Sequence, residues 1–213
     1  MIFLTSDLHN NFNHSGLQEY LLNGTENDLL IILGDIGLMF PESENYESFA
    51  EKFIKIKKPI AFLDGNHENF EYLYSLPSEK WNGGYVHRIT DSIVHLIRGN
   101  VYKINGKSFF VMGGCESTQK WKDRGLSSTM DSPSKEEIKY GYESLSGINN
   151  RVDYVLTHKY MREENIEEEN TLSALTEYID ENVNFKKWFC GHWHKDEKID
   201  GKHIAIYQKL YVL

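Results

Sequence analysis

Short apolar runs of strand length recur along the chain, each closed off by polar residues or glycine. Ile2–Thr5, Leu29–Leu33, 59–63, 109–112, 153–157 and Lys187–Cys190 are four or five residues long and predict buried strands. Between them lie amphipathic stretches whose apolar positions recur at helical spacing. They predict helices over Ser15–Asn23, 44–58, 68–76, 135–145 and Leu172–Asn182. Ser134 followed by Glu136 and Glu137 supplies a capping start for the fourth of these. The second half adds hairpin-like runs over 93–98, over 101–104 and from 198 to 212. Asn105-Gly106 is a strong two-residue turn signal for the second. Strands alternating with helices, together with hairpins, predict an α/β fold in which two mixed sheets form a sandwich flanked by helices.

The residues that follow the strands carry the chemistry. Ile2–Thr5 runs into Asp7 and His9, and Leu29–Leu33 into Gly34-Asp35. The 59–63 run leads to Gly65-Asn66-His67-Glu68, the 153–157 run to His158, and Lys187–Cys190 to Gly191-His192-Trp193-His194. Ligands of open α/β sheets bind beyond the carboxyl ends of the strands. Five strand ends can therefore bring Asp7, His9, Asp35, Asn66, His67, His158, His192 and His194 to one place. Gly34, Gly65 and Gly191 each precede a candidate ligand, where the backbone is expected to turn sharply.

Carboxylate, imidazole and amide oxygen together suit borderline divalent metals: Mn, Fe, Zn, Co or Ni, with Mn the first choice. A structural zinc site would draw on cysteine, and Cys115 and Cys190 are far apart and read as core thiols. The donors exceed what one tetrahedral ion needs, so the reading is two divalent metal ions sharing a carboxylate. Two ions about 3.5–4 Å apart clamp an in-line displacement at phosphorus and make hydroxide available near neutral pH.

Composition bounds this reading without changing it. With 213 residues, 40% hydrophobic and 26% charged, the chain reads as one ordinary domain spanning 1–213. A net charge of −9 argues against a general nucleic-acid binder, which carries a basic face. Residues after Met1 show no signal-peptide pattern, and no apolar run approaches the roughly 20 residues of a membrane span. A cytoplasmic protein with reduced thiols is expected.

The set Asp7-Leu8-His9, Gly34-Asp35, Gly65-Asn66-His67-Glu68, Thr157-His158 and Gly191-His192-Trp193-His194 resembles the calcineurin-like metallophosphoesterases. The resemblance covers positions 7 to 194. It implies a four-layer αββα sandwich with the site at the strand ends. It also implies that Asp7, His9, Asp35 and His194 hold the first metal, that Asp35 bridges, and that Asn66, His158 and His192 complete the second. His67 resembles the residue that steadies the phosphoryl group or protonates the leaving oxygen. One departure stands out: Leu38 occupies the place where many members carry a carboxylate that orients this histidine. The partner of His67 is left open between Asp64 and Glu68. The Arg-Gly pair of the Ser/Thr protein phosphatase branch is also missing.

The expected activity is hydrolysis of a phosphomonoester or phosphodiester, with a nucleotide or other small phosphoester preferred, by attack of hydroxide bound to the two metals. The alternatives are a nuclease of the same fold, which would need a basic patch such as Lys52, Lys55, Lys57 and Lys58, and a non-catalytic metal-binding scaffold, which would have shed ligands. Asn10 and Arg124 are candidate phosphate contacts, Arg124 on a loop that starts at the Gly113-Gly114 strand end. His14, His87, His95 and His203 read as structural, and 162–170 as a solvated acidic loop.

Overall fold

The computed structural model describes residues 1–41, 44–123, 125–160 and 171–213. In chain order the first half runs β1 (Ile2–Thr5), α1 (Ser15–Asn23), β2 (Leu29–Leu33), α2 (Tyr46–Phe53), β3 (Ile60–Leu63), α3 (Phe70–Ser75), β4 (Ser78–Trp81), β5 (Gly84–Arg88) and β6 (Ile93–Leu96). The second half continues with β7 (Asn100–Ile104), β8 (Lys107–Met112), α4 (Gln119–Asp123), α5 (Lys135–Ser146), β9 (Tyr154–Thr157), α6 (Leu172–Asn182), β10 (Lys187–Cys190), β11 (Glu197–Lys198), β12 (His203–Ala205) and β13 (Tyr211–Val212).

Two mixed sheets result. The first has the order β13-β1-β2-β3-β6-β5-β4, and the second β11-β12-β10-β9-β8-β7. Strands β1, β2, β3 and β6 are mutually parallel, as are β8, β9, β10 and β12. All the strands whose ends carry candidate ligands belong to these two parallel blocks, so their carboxyl ends open on the same rim.

Side-chain alternation along each strand divides the interior into three apolar layers. Ile2, Leu4, Ile31, Leu33 and Leu63 of the first sheet face Phe109, Val111, Leu156 and Phe189 of the second. The alternate residues Phe3, Leu30, Ile32 and Phe62 turn outward and are covered by Leu17 and Tyr20 of α1, Phe49 and Phe53 of α2 and Leu73 of α3. On the other side Phe110, Val155 and Trp188 pack against Ile138 and Leu145 of α5 and Leu175 and Ile179 of α6. The architecture is thus the four-layer αββα sandwich. No helix among the described residues is long and apolar enough to cross a membrane.

Most elements fall within two residues of their expected bounds, and the differences have local causes. Helix α2 covers only Tyr46–Phe53 of the expected 44–58. Pro59 excludes Lys58 from helical geometry, and the chain has already turned by Ile54. Asn105-Gly106, both at positive φ, does make the β7–β8 turn. The 93–98 run forms β6, which makes a hairpin with β5 and also pairs in parallel with β3. The β4–β5 hairpin was not expected from the pattern. Its first strand is Ser-Glu-Lys-Trp, largely exposed at the sheet edge, and so has no apolar alternation. Ser134 caps α5 with a full capping box through Glu137.

Beneath the rim lies a buried charge pair. Arg98 donates through Nε and Nη2 to Asp64 Oδ2 at 2.8 and 2.5 Å, and His95 Nε2 lies 3.0 Å from Asp64 Oδ1. Burial opposes ionisation of Asp64, but Arg98 and His95 outweigh it and hold the carboxyl well below its usual range. Arg98 Nη2 also donates to the carbonyls of Met130 and Asp131, and Gly114 N–H donates to the Asp64 carbonyl at 2.8 Å. The pair therefore ties the segment after β8 to the end of β3. Asp64→Ala would leave Arg98 charged and buried beside a void. We expect a loss of about 3–5 kcal/mol in unfolding free energy by urea titration. A loss below about 1 kcal/mol would show that the pair does not hold this region together.

Candidate metal centre

Three of the five ligand-bearing strand ends, those of β1, β2 and β10, are tight turns in left-handed backbone. Asp7, His9, Asn10, Asp35, His192 and His194 have φ of 57°, 46°, 58°, 51°, 67° and 51°. Non-glycine residues seldom adopt this region, and when several do so together they mark functional sites. The turns brace one another. Asp7 N–H donates to the Gly34 carbonyl at 3.0 Å, His9 N–H to Asp35 at 2.9 Å and Asn10 N–H to Ile36 at 3.0 Å.

The glycines serve two different purposes. Gly34 has φ 92° and supplies the expected sharp turn. Gly65 and Gly191 are not at positive φ, and their role is space. A Cβ on Gly65 would lie 2.0 Å from Asp35 Oδ1, and one on Gly191 1.9 Å from Ser6 Oγ and 2.7 Å from Asp7 Oδ2. Their small size lets backbone pass directly against two candidate ligand carboxylates.

The side chains gather into two groups of donor atoms. In the first, single donor atoms of Asp7, His9, Asp35 and His194 all lie within 4.8 Å of one another. His9 Nε2 and His194 Nε2 are 2.9 Å apart, and Asp7 Oδ1 is 3.4 Å from His194 Nε2 and 3.9 Å from His9 Nε2. In the second, His158, His192 and Cys115 meet by the same criterion, with His158 Nε2 3.2 Å from His192 Nδ1. Asn66 joins them through Oδ1, which accepts the Cys115 S–H at 3.0 Å, while its Nδ2 donates to Ser117 Oγ at 3.3 Å. Asp35 stands between the groups: its Oδ2 is 3.5 Å from His9 Nε2 and 3.4 Å from His158 Nε2.

Hydrogen bonds from the surrounding backbone fix these groups. His67 N–H donates to Asp35 Oδ1 at 2.8 Å, and His192 N–H to both oxygens of Asp7 at 3.1 and 3.0 Å. His158 Nδ1 lies 2.8 Å from the Leu33 carbonyl, which can only accept. Nδ1 therefore carries a hydrogen and Nε2 is the atom turned to Asp35 and His192. Tyr207 stacks on His194 with ring planes 11° apart.

The electrostatics suit a cation. Burial opposes ionisation of Asp35, but His158, His9 and His67 around it outweigh that and hold its carboxyl well below the usual range. Burial likewise opposes charging of His158, and the Asp35 carboxylate reverses it, raising the ring well above its ordinary value. Burial, reinforced by His158, pushes His192 down to about 4, so its ring is neutral at neutral pH, as metal binding requires. Nitrogen and oxygen ligands about 2.0–2.2 Å from one ion are about 2.8–3.6 Å apart at bond angles between 90° and tetrahedral. The contacts of 2.9, 3.2, 3.4 and 3.5 Å fall in that range, and the 3.9 Å contact of His9 with Asp7 lies just outside it. The donor set fits divalent cations in both groups.

His67 sits beside the first group, its ring centroid 5.1 Å from His9, 5.8 Å from Phe40 and 4.3 Å from the edge-on Trp121 of α4. Neither residue considered as its partner turns to it. Asp64 is engaged by Arg98 and His95, and Glu68 accepts the N–H groups of Ile36 at 2.9 Å and Gly37 at 3.2 Å. Burial, with Asp35 nearby, pushes the Glu68 carboxyl up to about 8. Leu38 is buried in the outer core of the first sheet. Asn10 lies at the rim, but its Nδ2 donates to the Phe40 carbonyl at 2.9 Å and so ties down the 36–40 loop. Arg124 and the 162–170 stretch lie outside the described residues. His14, His87, His95 and His203 are buried and belong to neither donor group, although His14 packs edge-on against Tyr207.

Three neighbours had no reading as site residues. Trp121 and Tyr207 are single aromatics in loop-like sequence and carry no local signal. Cys115 does carry one, because Gly113-Gly114 precedes it at a strand end much as Gly34, Gly65 and Gly191 precede the candidate ligands.

Residues 1–196 match the family model for calcineurin-like phosphoesterases. No curated protein matches the chain. With the match spanning all five strand-end motifs, the chain belongs to the calcineurin-like phosphoesterase family and is a metal-dependent phosphoesterase.

Proposed function

We propose that this chain hydrolyses a small phosphomonoester or phosphodiester, of nucleotide size, with two divalent cations. Asp7, His9, Asp35 and His194 would hold one, and Asp35, Asn66, His158 and His192 the other. The observation that carries this reading is the position of Asp35 Oδ2, at near-equal distance from His9 Nε2 and His158 Nε2 and so shared by both donor groups. When bound, such cations supply Lewis acidity, acidifying water and neutralising phosphoryl charge.

The protein's own groups do the rest. Asp7 and Asp35 are locked by backbone N–H donors, so they need no reorganisation to meet a cation. His67 is placed to donate a proton from a ring nitrogen to the leaving oxygen. Phe40 and Trp121 wall that ring edge-on. A cleft of about 600 Å³ opens beside the second group, and Glu116, Ser117, Lys122, Ser128, Thr129 and Asp131 are among its lining residues. Its volume suits a small molecule, and its hydroxyls suit the polar body of a nucleotide or sugar phosphate. Water is the nucleophile, and no covalent enzyme intermediate is invoked.

Two of the four lysines considered for a nucleic-acid surface are engaged locally: Lys58 donates to the Leu21 carbonyl at 2.5 Å and Lys52 sits over the Phe12 ring. This favours the small substrate over the nuclease alternative. Residues 1–213 are proposed to act as one domain, since apolar packing joins the two sheets. Both cysteines are free, in keeping with a cytoplasmic setting.

Chelator-stripped protein should be inactive on p-nitrophenyl phosphate and bis-p-nitrophenyl phosphate and recover with Mn, Fe, Zn, Co or Ni. Failure with every metal on these esters and on nucleotides would remove the catalytic reading. Asp35→Asn and His192→Ala should each lower turnover more than about 100-fold with circular dichroism unchanged. Full metal-dependent activity in either variant would refute its assignment as a ligand. His67→Ala should lower kcat by about 10²–10⁴-fold while the protein still binds its full complement of metal by equilibrium dialysis. Loss of a bound ion would instead make His67 a ligand.

A further inference from the structure

The two cysteines occupy opposite environments. Cys190 ends β10 inside the outer core of the second sheet, packed with Phe110, Val155 and Trp188, and its Sγ approaches the Ile204 carbonyl only at 3.8 Å. Cys115 is equally buried, yet its sulfur faces polar atoms. Sγ donates to Asn66 Oδ1 at 3.0 Å and lies 3.5 Å from His192 Nδ1. A thiol that merely fills core would meet apolar neighbours, as Cys190 does. Cys115 instead meets an amide oxygen and two imidazoles.

We propose that Cys115 Sγ is a direct ligand of the second cation, beside Asn66, His158 and His192, and that it biases this position toward soft or borderline ions such as Zn²⁺, Co²⁺ or Cd²⁺ over Mn²⁺. The inference rests on the proposal that His158 and His192 hold a cation. Its geometric warrant is independent of their titration. A sulfur about 2.3 Å and a nitrogen or oxygen about 2.0–2.1 Å from one ion are about 3.0–3.1 Å apart at a right angle and about 3.6 Å apart at the tetrahedral angle. The Sγ contacts of 3.0 Å with Asn66 and 3.5 Å with His192 span that interval. The sulfur thus already stands where a ligand of that ion would stand.

The local chain makes this placement rigid. A Cβ on Gly113 would lie 2.4 Å from Asp64 Oδ1, and one on Gly114 2.5 Å from the Asp131 carbonyl. Only two glycines let the chain leave β8 so close to the buried Asp64–Arg98 pair and deliver Cys115 to the rim. Ser117, two residues on, accepts from Asn66 Nδ2 at 3.3 Å, so the same segment holds the amide with its oxygen toward the sulfur and the imidazoles. On metal binding the thiol proton leaves to solvent, the sulfur lone pair turns to the cation, and the S–H···O bond gives way so that Asn66 Oδ1 can bind the same ion. Thiolate selects softer metals than carboxylate does, which is the source of the expected bias.

The test is cobalt substitution of the chelator-stripped full chain. The wild type and Cys190→Ala should show an intense near-ultraviolet sulfur-to-cobalt charge-transfer band. Cys115→Ser should lose that band while still taking up cobalt. Cys115→Ala should also lower zinc affinity at one site by at least about tenfold, the low end of the cost of losing a partner one shell further out, and change manganese affinity less. Full cobalt uptake without a sulfur band in the wild type, or a band that survives in Cys115→Ser, would overturn the ligand assignment and leave the proposed cation sites intact. No cobalt bound by the wild type would overturn both. If the Cys115 variants do not fold, alkylation of Cys190→Ala protein decides the matter: zinc should slow modification of Cys115, and an unchanged rate would contradict direct ligation.

Discussion

Burying a carboxylate without positive charge beside it costs several kcal/mol, and Asp35 is buried to 1% exposure at the meeting point of both sheets. Its surroundings answer that cost in a specific way. One oxygen takes a backbone N–H from His67, and the other is left to two imidazole nitrogens on opposite sides. That division gives the site its shape. The oxygen held by the backbone keeps the carboxylate still, and the oxygen held by imidazoles is available to a cation on either side. Asp7 repeats the device on a smaller scale, with His192 N–H on its carboxylate and His194 Nε2 near Oδ1.

Such a centre needs backbone in an unfavourable conformation, and the sandwich supplies the support. Six non-glycine residues at the rim are left-handed, each at some energetic cost. They are held because the strands that deliver them are fixed on both faces by the three apolar layers and by one another's carbonyls. The buried Asp64–Arg98 pair extends that support to the segment carrying Cys115, Ser117 and Trp121. The site is therefore rigid where ligands converge, braced by both sheets and by the segment after β8.

The layered fold was legible because strands buried on both faces read as continuous apolar runs and because the ligands follow those runs directly. Residues whose position depends on distant packing were not. Helix α2 ends at Phe53, well before the Lys58-Pro59 step that the pattern pointed to as its limit, and the polar β4–β5 hairpin has no alternation to reveal it. Gly65 and Gly191 looked like turn glycines, yet they are small because Asp35 and Asp7 press against them from other strands. Cys115 and Cys190 are indistinguishable as single thiols in a sequence. Only the contacts of Cys115 with Asn66 and His192 set it apart. The absence of a carboxylate at Leu38 was visible, but the aromatic walls that Phe40 and Trp121 raise around His67 depend on how two loops fold back.

The claim on which the account rests is that Asp35 joins two cation positions. Anomalous diffraction from crystals loaded with cobalt tests it most directly. Two peaks are expected, one among Asp7, His9 and His194 and one among Asn66, His158 and His192, with Asp35 bonded to both. A single peak at full loading, or two peaks without a shared Asp35 carboxylate, would contradict it.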